Sequence, residues 1–122
     1  MKTDNIIVEK SFQFSLRIVK LFEHLKNHKV ERDLALQLLR SGTSVGANVE
    51  EAVGGSSRKD FIHKLTIAYK EARETNYWIR LLKEAGLLEI KLAESFLTDC
   101  EEIIKILTSI LKSSKQKQII NS

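Results

Sequence analysis

Proline is missing from this chain altogether and cysteine nearly so: its 122 residues contain no Pro, one Cys and five Gly. At ordinary usage of about 5%, roughly six prolines would be expected. A chain that avoids the residue most disruptive to helix interiors is predicted to be helical over most of its length. The single thiol, Cys100, cannot form an internal disulfide, and the opening MKTDNIIVEK lacks the apolar stretch of a secretion signal. Both features point to the reducing cytoplasm. Long hydrophobic runs are missing too. No stretch approaches the roughly 20 apolar residues that span a bilayer, so no membrane association is expected. Disorder is a poor description of a composition that is 43% hydrophobic and 30% charged. The length argues for one domain over residues 1–122.

What is present reads as four helices. Over residues 6–27, Val8, Phe12, Leu16 and Val19 recur at three- and four-residue intervals, with Phe14, Ile18, Leu21, Phe22 and Leu25 on an adjacent face. A polar break at Asn27, His28 and Lys29 precedes a second helix over 32–53, with Glu31 or Asp33 near its positive end. Its seam is Leu38, Gly42, Val45, Val49 and Ala52. Gly54 and Gly55 end it, since glycine readily takes positive φ. Ser57 followed by Asp60 resembles a capping box and starts a third helix over 57–85, with Phe61, Leu65, Ala68, Ala72, Asn76, Ile79 and Leu82 facing inward. Gly86 is the expected cap, and a fourth helix follows over 89–112. Three heptad rows make its apolar face: Phe96, Ile103 and Ile110; Ala93, Cys100 and Leu107; Leu97, Ile104 and Leu111. Residues 113–122 lack this pattern and are expected to fray. Short connections between such helices predict an all-α, antiparallel, up-down-up-down four-helix bundle.

Two of the helices carry more apolar surface than a bundle needs. The first is apolar over more than half its circumference, and the third has a second group comprising Ile67, Trp78, Leu81 and Ala85. Surface of that kind predicts self-association. Catalytic chemistry finds little support. Cys100 on a heptad row reads as a buried structural thiol, and His24 with His28 lacks a third metal ligand. Glu50, Glu51, Glu71 and Glu74 are not accompanied by the Glu-x-x-His motif of di-iron bundles, so no metal or other cofactor is expected. Glu71 and Glu74 are predicted to pair with Lys70, Arg73, Trp78 or interface groups. Gly42 and Gly46 form a GxxxG flanked by Ser41, Thr43, Ser44 and Asn48. That is too polar for a membrane seam, and it predicts close approach of another helix or a kink.

The net charge is +4, from 20 Lys plus Arg against 16 Asp plus Glu. On the third helix Lys59, Lys70, Arg73, Tyr77 and Arg80 are expected to share the side opposite its second apolar group. A basic row with a tyrosine can bind a phosphate backbone and stack on an unpaired base. The alternative is a solvated face, and Glu84 interrupts the row.

The stretches RSGTSVGANVEEA (Arg40 to Ala52) and SSRKDFIHKLTIAYKEARETNYWIRLL (Ser56 to Leu82) resemble the four-helix-bundle family of 23S rRNA-intervening sequence proteins. Many relatives read S-I-P-S-N-I-A-E-G from Ser44 to Ala52; this chain has Gly46 for proline and Ala52 for glycine, and its S-V-G-A-N matches another branch. The resemblance implies a left-handed antiparallel bundle assembling as a toroidal homopentamer. It also implies similarity to the accessory variability protein of diversity-generating retroelements, a basic pentamer that binds nucleic acid and partners a reverse transcriptase. No catalytic residues carry over. Ser44, Asn48, Glu51, Asp60, Phe61, Lys64, Leu65, Glu71, Glu74 and Trp78 carry over as turn, cap, core and interface positions. Ile67, Glu71, Glu74, Trp78 and Leu81 are thus the candidate oligomer interface. Five copies would carry about +20, enough to make RNA or DNA a candidate partner. An accessory subunit docking onto another protein is the alternative.

Overall fold

The computed structural model describes residues 2–120. These form four α-helices, α1 (Lys2–Asn27), α2 (Arg32–Val53), α3 (Arg58–Glu84) and α4 (Ile90–Ile120), and no strand among the described residues. Two boundaries differ from expectation. The first helix begins at Lys2, a turn before its first apolar residue, where apolar periodicity carries no signal. The predicted fraying from 113 onward is corrected: α4 continues to Ile120, and residues 121–122 lie outside those described. After Leu111 the sequence loses its apolar pattern but contains no Gly or Pro to stop a helix, and its Lys and Gln are good helix formers.

The reversals after α1 and α3 share one geometry. The amide of Leu87 donates to the Leu82 carbonyl at 2.9 Å and that of Gly86 to Lys83 at 3.1 Å, with Gly86 at φ 75°. After α1, Val30 donates to Leu25 at 3.0 Å and Lys29 to Lys26 at 3.1 Å, with Lys29 at φ 59°. Each is a Schellman cap, and the first places a lysine where glycine would be unstrained. The Gly54–Gly55 turn works otherwise. Gly54 has φ −83°, so the expected positive φ is not used. At Gly55, a Cβ would lie 2.6 Å from Asp60 Oδ2, and close approach explains the glycine. The Ser57 hydroxyl caps α3 by accepting from the Asp60 amide at 3.1 Å. The reciprocal bond of a capping box is not formed among the described residues, the Asp60 side chain being one methylene shorter than Glu.

The helices pack in cyclic order, α1 on α2, α2 on α3, α3 on α4, with α4 meeting α1 most sparsely. Their buried rows make one core. On α1 the inner row is Ile7, Ser11, Phe14, Ile18, Leu21 and Leu25, whereas Phe12, Leu16 and Val19 are 54%, 43% and 46% exposed. The α2 seam is buried as read. On α3 the inward place expected for Asn76 belongs to Thr75, whose hydroxyl donates to the Glu71 carbonyl (2.8 Å) and meets Ser41 Oγ (3.0 Å). Gly42 and Gly46 bring α1 and α2 together. A Cβ on Gly42 would lie 2.8 Å from Ile18, and one on Gly46 would lie 2.9 Å from Ser15 Oγ and 3.1 Å from the Ser11 carbonyl.

Candidate functional site

Lys59, Lys70, Arg73, Tyr77 and Arg80 are all exposed along α3. Arg73 donates through Nη1 to the Tyr69 hydroxyl at 3.0 Å, and its guanidinium lies 5.8 Å from the centre of that ring. Arg80 Nε donates to Asn76 Oδ1 at 2.8 Å. Neutral partners hold both guanidinium groups in place without cancelling their charge. Neither Lys59 nor Lys70 forms an ion pair among the described residues. The expected separation of this row from the second apolar group is corrected. Tyr77 stands edge-on to Trp78, with ring centroids 5.0 Å apart and an interplanar angle of 74°. At 100° per residue the basic row lies roughly opposite the buried face of α3, and Ile67, Trp78 and Leu81 lie a quarter turn away.

The candidate interface residues are partly occupied within the protomer. Arg40 on α2 pairs with Glu71 at 3.2 Å and with Glu74, and Trp78 Nε1 donates to Glu74 Oε2 at 3.0 Å. Sequence reasoning found the Trp78 contact but expected Lys70 and Arg73 where Arg40 stands, because a partner 31 or 34 residues away leaves no trace in helical periodicity. The indole hydrogen bond, followed by the Arg40 interactions, holds the Glu74 carboxyl below its ordinary value against the opposing effect of burial. A depressed carboxyl contributes stability that is present above its unfolded value and is lost as pH falls through the folded one. Ile67 and Trp78 are half-buried, and Leu81 is 38% exposed.

Two pairs of the motif residues make polar contacts within the protomer. Asn48 Nδ2 donates to the Ser44 carbonyl at 2.8 Å, and Glu51 pairs with Lys64 at 2.9 Å. Cys100 is fully buried, its Sγ 3.2 Å from the Ala72 carbonyl oxygen, and burial pushes its pKa up to about 12. Its thiol is therefore neutral and shielded, as the heptad position implied. The His24 and His28 rings lie 4.1 Å apart, and the described residues hold no group of three or more potential metal ligands. None of the described helices is long and apolar enough to cross a membrane.

These features define an all-α protein of four helices, with no strand among the described residues. The chain belongs to the 23S rRNA-intervening sequence protein family, whose pattern it matches over residues 3–109. It is also similar to a crystal structure described as a protein with unknown function from the S23 ribosomal protein family of Bacteroides thetaiotaomicron VPI-5482. The two share 47% identity over 90% of this chain and 98% of the other, with a TM-score of 0.87. No curated protein matches the sequence.

Proposed function

We propose that this chain is a noncatalytic, self-associating helical-bundle protein that binds RNA or DNA through a basic surface pooled over several copies, five in a ring being the expected number. The observation that carries this reading is the exposed α3 row, in which two lysines lack acidic partners and two arginines are held by neutral ones. Phosphate attraction acts at Lys59, Lys70, Arg73 and Arg80, and Tyr77 supplies a stacking ring at 49% exposure. Binding of this type reads backbone charge and shape more than base identity.

Self-association draws support from Phe12, Leu16 and Val19 on α1 and from Trp78 and Leu81 on α3, apolar groups that a lone protomer leaves partly wet. An up-down-up-down course is supported by the pairing of Lys10 with Glu102 and Arg17 with Asp99, and of Glu51 with Lys64 and Arg40 with Glu71. In both helix pairs, rising numbers on one helix meet falling numbers on the other.

The test is a salt series on the assembled protein, with its mass measured by light scattering. Affinity for single-stranded RNA should fall steeply with salt, and Lys70, Arg73 and Arg80 changed together to Glu should abolish it while the mass stays unchanged. Unchanged affinity in the triple variant would overturn the assignment of the surface. The α1 apolar row also suits a second reading, an accessory subunit docking onto another polypeptide. That reading predicts no nucleic-acid binding by the purified protein and a stable complex with one partner.

A further inference from the structure

At the end of the bundle where α2 stops and α3 starts, α4 passes alongside and a groove of about 630 Å³ opens between them. Ser57, Arg58, Phe61, Ile110, Ser114 and Lys117 are among its lining residues; no Asp or Glu lines it, although the Asp60 carboxylate lies against the lining residue Gly55. The volume falls in the range of small-ligand sites.

The groove is built to receive an anion at one side. The Ser57 hydroxyl takes the Asp60 amide at 3.1 Å, and the Ser57 carbonyl takes the Phe61 amide at 3.0 Å. The Arg58 and Lys59 amides, at the positive end of a 27-residue helix, are left without a partner among the described residues. Two of the carbonyls at the end of α2 are already engaged, Glu50 by the amide of Gly54 and Ala52 by that of Gly55. Neither Arg58 nor Lys117 has an acidic partner among the described residues.

A second observation points to a ligand independently of the helix end. Ser114 on α4 is only 7% exposed and makes no hydrogen bond among the described residues. No side-chain oxygen fully sealed from solvent lacks a partner among those residues. The unpartnered Ser114 hydroxyl is therefore open, and the opening available to it is the groove that Ser114 lines. Open in the groove that Arg58 and Lys117 also line, this hydroxyl is free to donate to an acceptor held there.

We propose that this groove binds an organic phosphate monoester, its phosphate held by the Arg58 amide, the Arg58 and Lys117 side chains and the Ser114 hydroxyl, and its organic part resting on Phe61 and Ile110. The assignment stands apart from the basic face of α3. Such a group has two sources, a free nucleotide or the phosphorylated end of a nucleic-acid strand, and the chemistry recognised is the same.

The experiment titrates the full chain with adenosine 5′-monophosphate, adenosine, and one short oligonucleotide carrying either a 5′-phosphate or a 5′-hydroxyl, read by calorimetry and amide chemical shifts. The monophosphate should bind and move the Arg58 amide, whereas adenosine should bind at least about tenfold more weakly. Ser114→Ala, melting as the parent does, should weaken the monophosphate several-fold, and Arg58→Gln with Lys117→Gln about tenfold or more. Lys91→Gln with Lys105→Gln removes the same charge outside the groove and should change affinity by less than about twofold. A phosphorylated oligonucleotide binding well above both the mononucleotide and its hydroxyl counterpart assigns the site to strand ends; equal binding of mononucleotide and phosphorylated strand assigns it to free monoesters. The proposal is overturned by any of three results: equal affinity for adenosine and its monophosphate, no binding at about 10 mM, or equal losses in the two double variants.

Discussion

The two seams that α1 makes with its neighbours are closed by opposite means. Against α2 the side chains are removed: Gly42 and Gly46 leave room for Ile18 and for the Ser11 and Ser15 region of α1, with no space for an added Cβ. Against α4 the side chains are long and charged. Lys10 pairs with Glu102 and Arg17 with Asp99, while Arg17 also donates to Ser95 Oγ at 3.0 Å and lies 4.0 Å from the Phe96 ring centre. Lys10, Arg17, Asp99 and Glu102 border a cleft of about 300 Å³. One seam depends on close van der Waals contact, which salt does not touch; the other adds half-exposed charges, which salt screens, to the edge-on contact of Phe14 with Phe96, whose ring centroids are 6.4 Å apart. The closing pair of a helical bundle can therefore be the wet one while the sequence-adjacent pair is dry.

The largest expected effect comes from filling the dry seam. Gly42→Leu forces a branched side chain onto Ile18 and should cost about 3 kcal/mol in urea unfolding, with part of the loss recovered by adding Ile18→Ala. The loss should be the same at low and high salt. Arg17→Ala, at the wet seam, should cost about 1 kcal/mol at low salt, from an exposed ion pair and a cation–π contact, and nearly nothing in 1 M salt. If the two losses respond alike to salt, the distinction between the seams fails. The smallest effect sharpens the comparison at the connection between α1 and α2. Lys29→Gly relieves a lysine at φ 59° and should raise stability by about 0.5 kcal/mol. That gain should be independent of salt, and a melting temperature that falls instead would show the lysine making a contact that outweighs its backbone cost.

Much of the architecture was legible from residue spacing. The α2 seam, two of the three heptad rows on α4, the Ser57 cap and the Gly86 reversal could be read because each depends on contacts within a few residues or on one helix's periodicity. The extension of α4 was missed because good helix formers without apolar periodicity look the same whether they pack or fray. The Lys29 cap was missed because a left-handed lysine has no compositional signature. At the candidate surfaces the residue types could be read but the neighbours could not. Trp78 was placed a half turn from the basic row and in fact touches Tyr77, and Arg40 was not connected with Glu71 and Glu74 at all.

By itself the sequence determined that the described residues form four helices without strands, which residues share a helical face, and where α2 must be approached closely. Proline avoidance, apolar spacing and small residues act through the local backbone, and they need no knowledge of the neighbours. Tertiary structure decided which of the two apolar rows on α1 turns inward, that Phe12, Leu16 and Val19 are left at the surface, and that Ser57, Arg58, Ser114 and Lys117 meet around one groove. Periodicity defines angles around one helix axis, but only the positions of the other helices define which angle is buried.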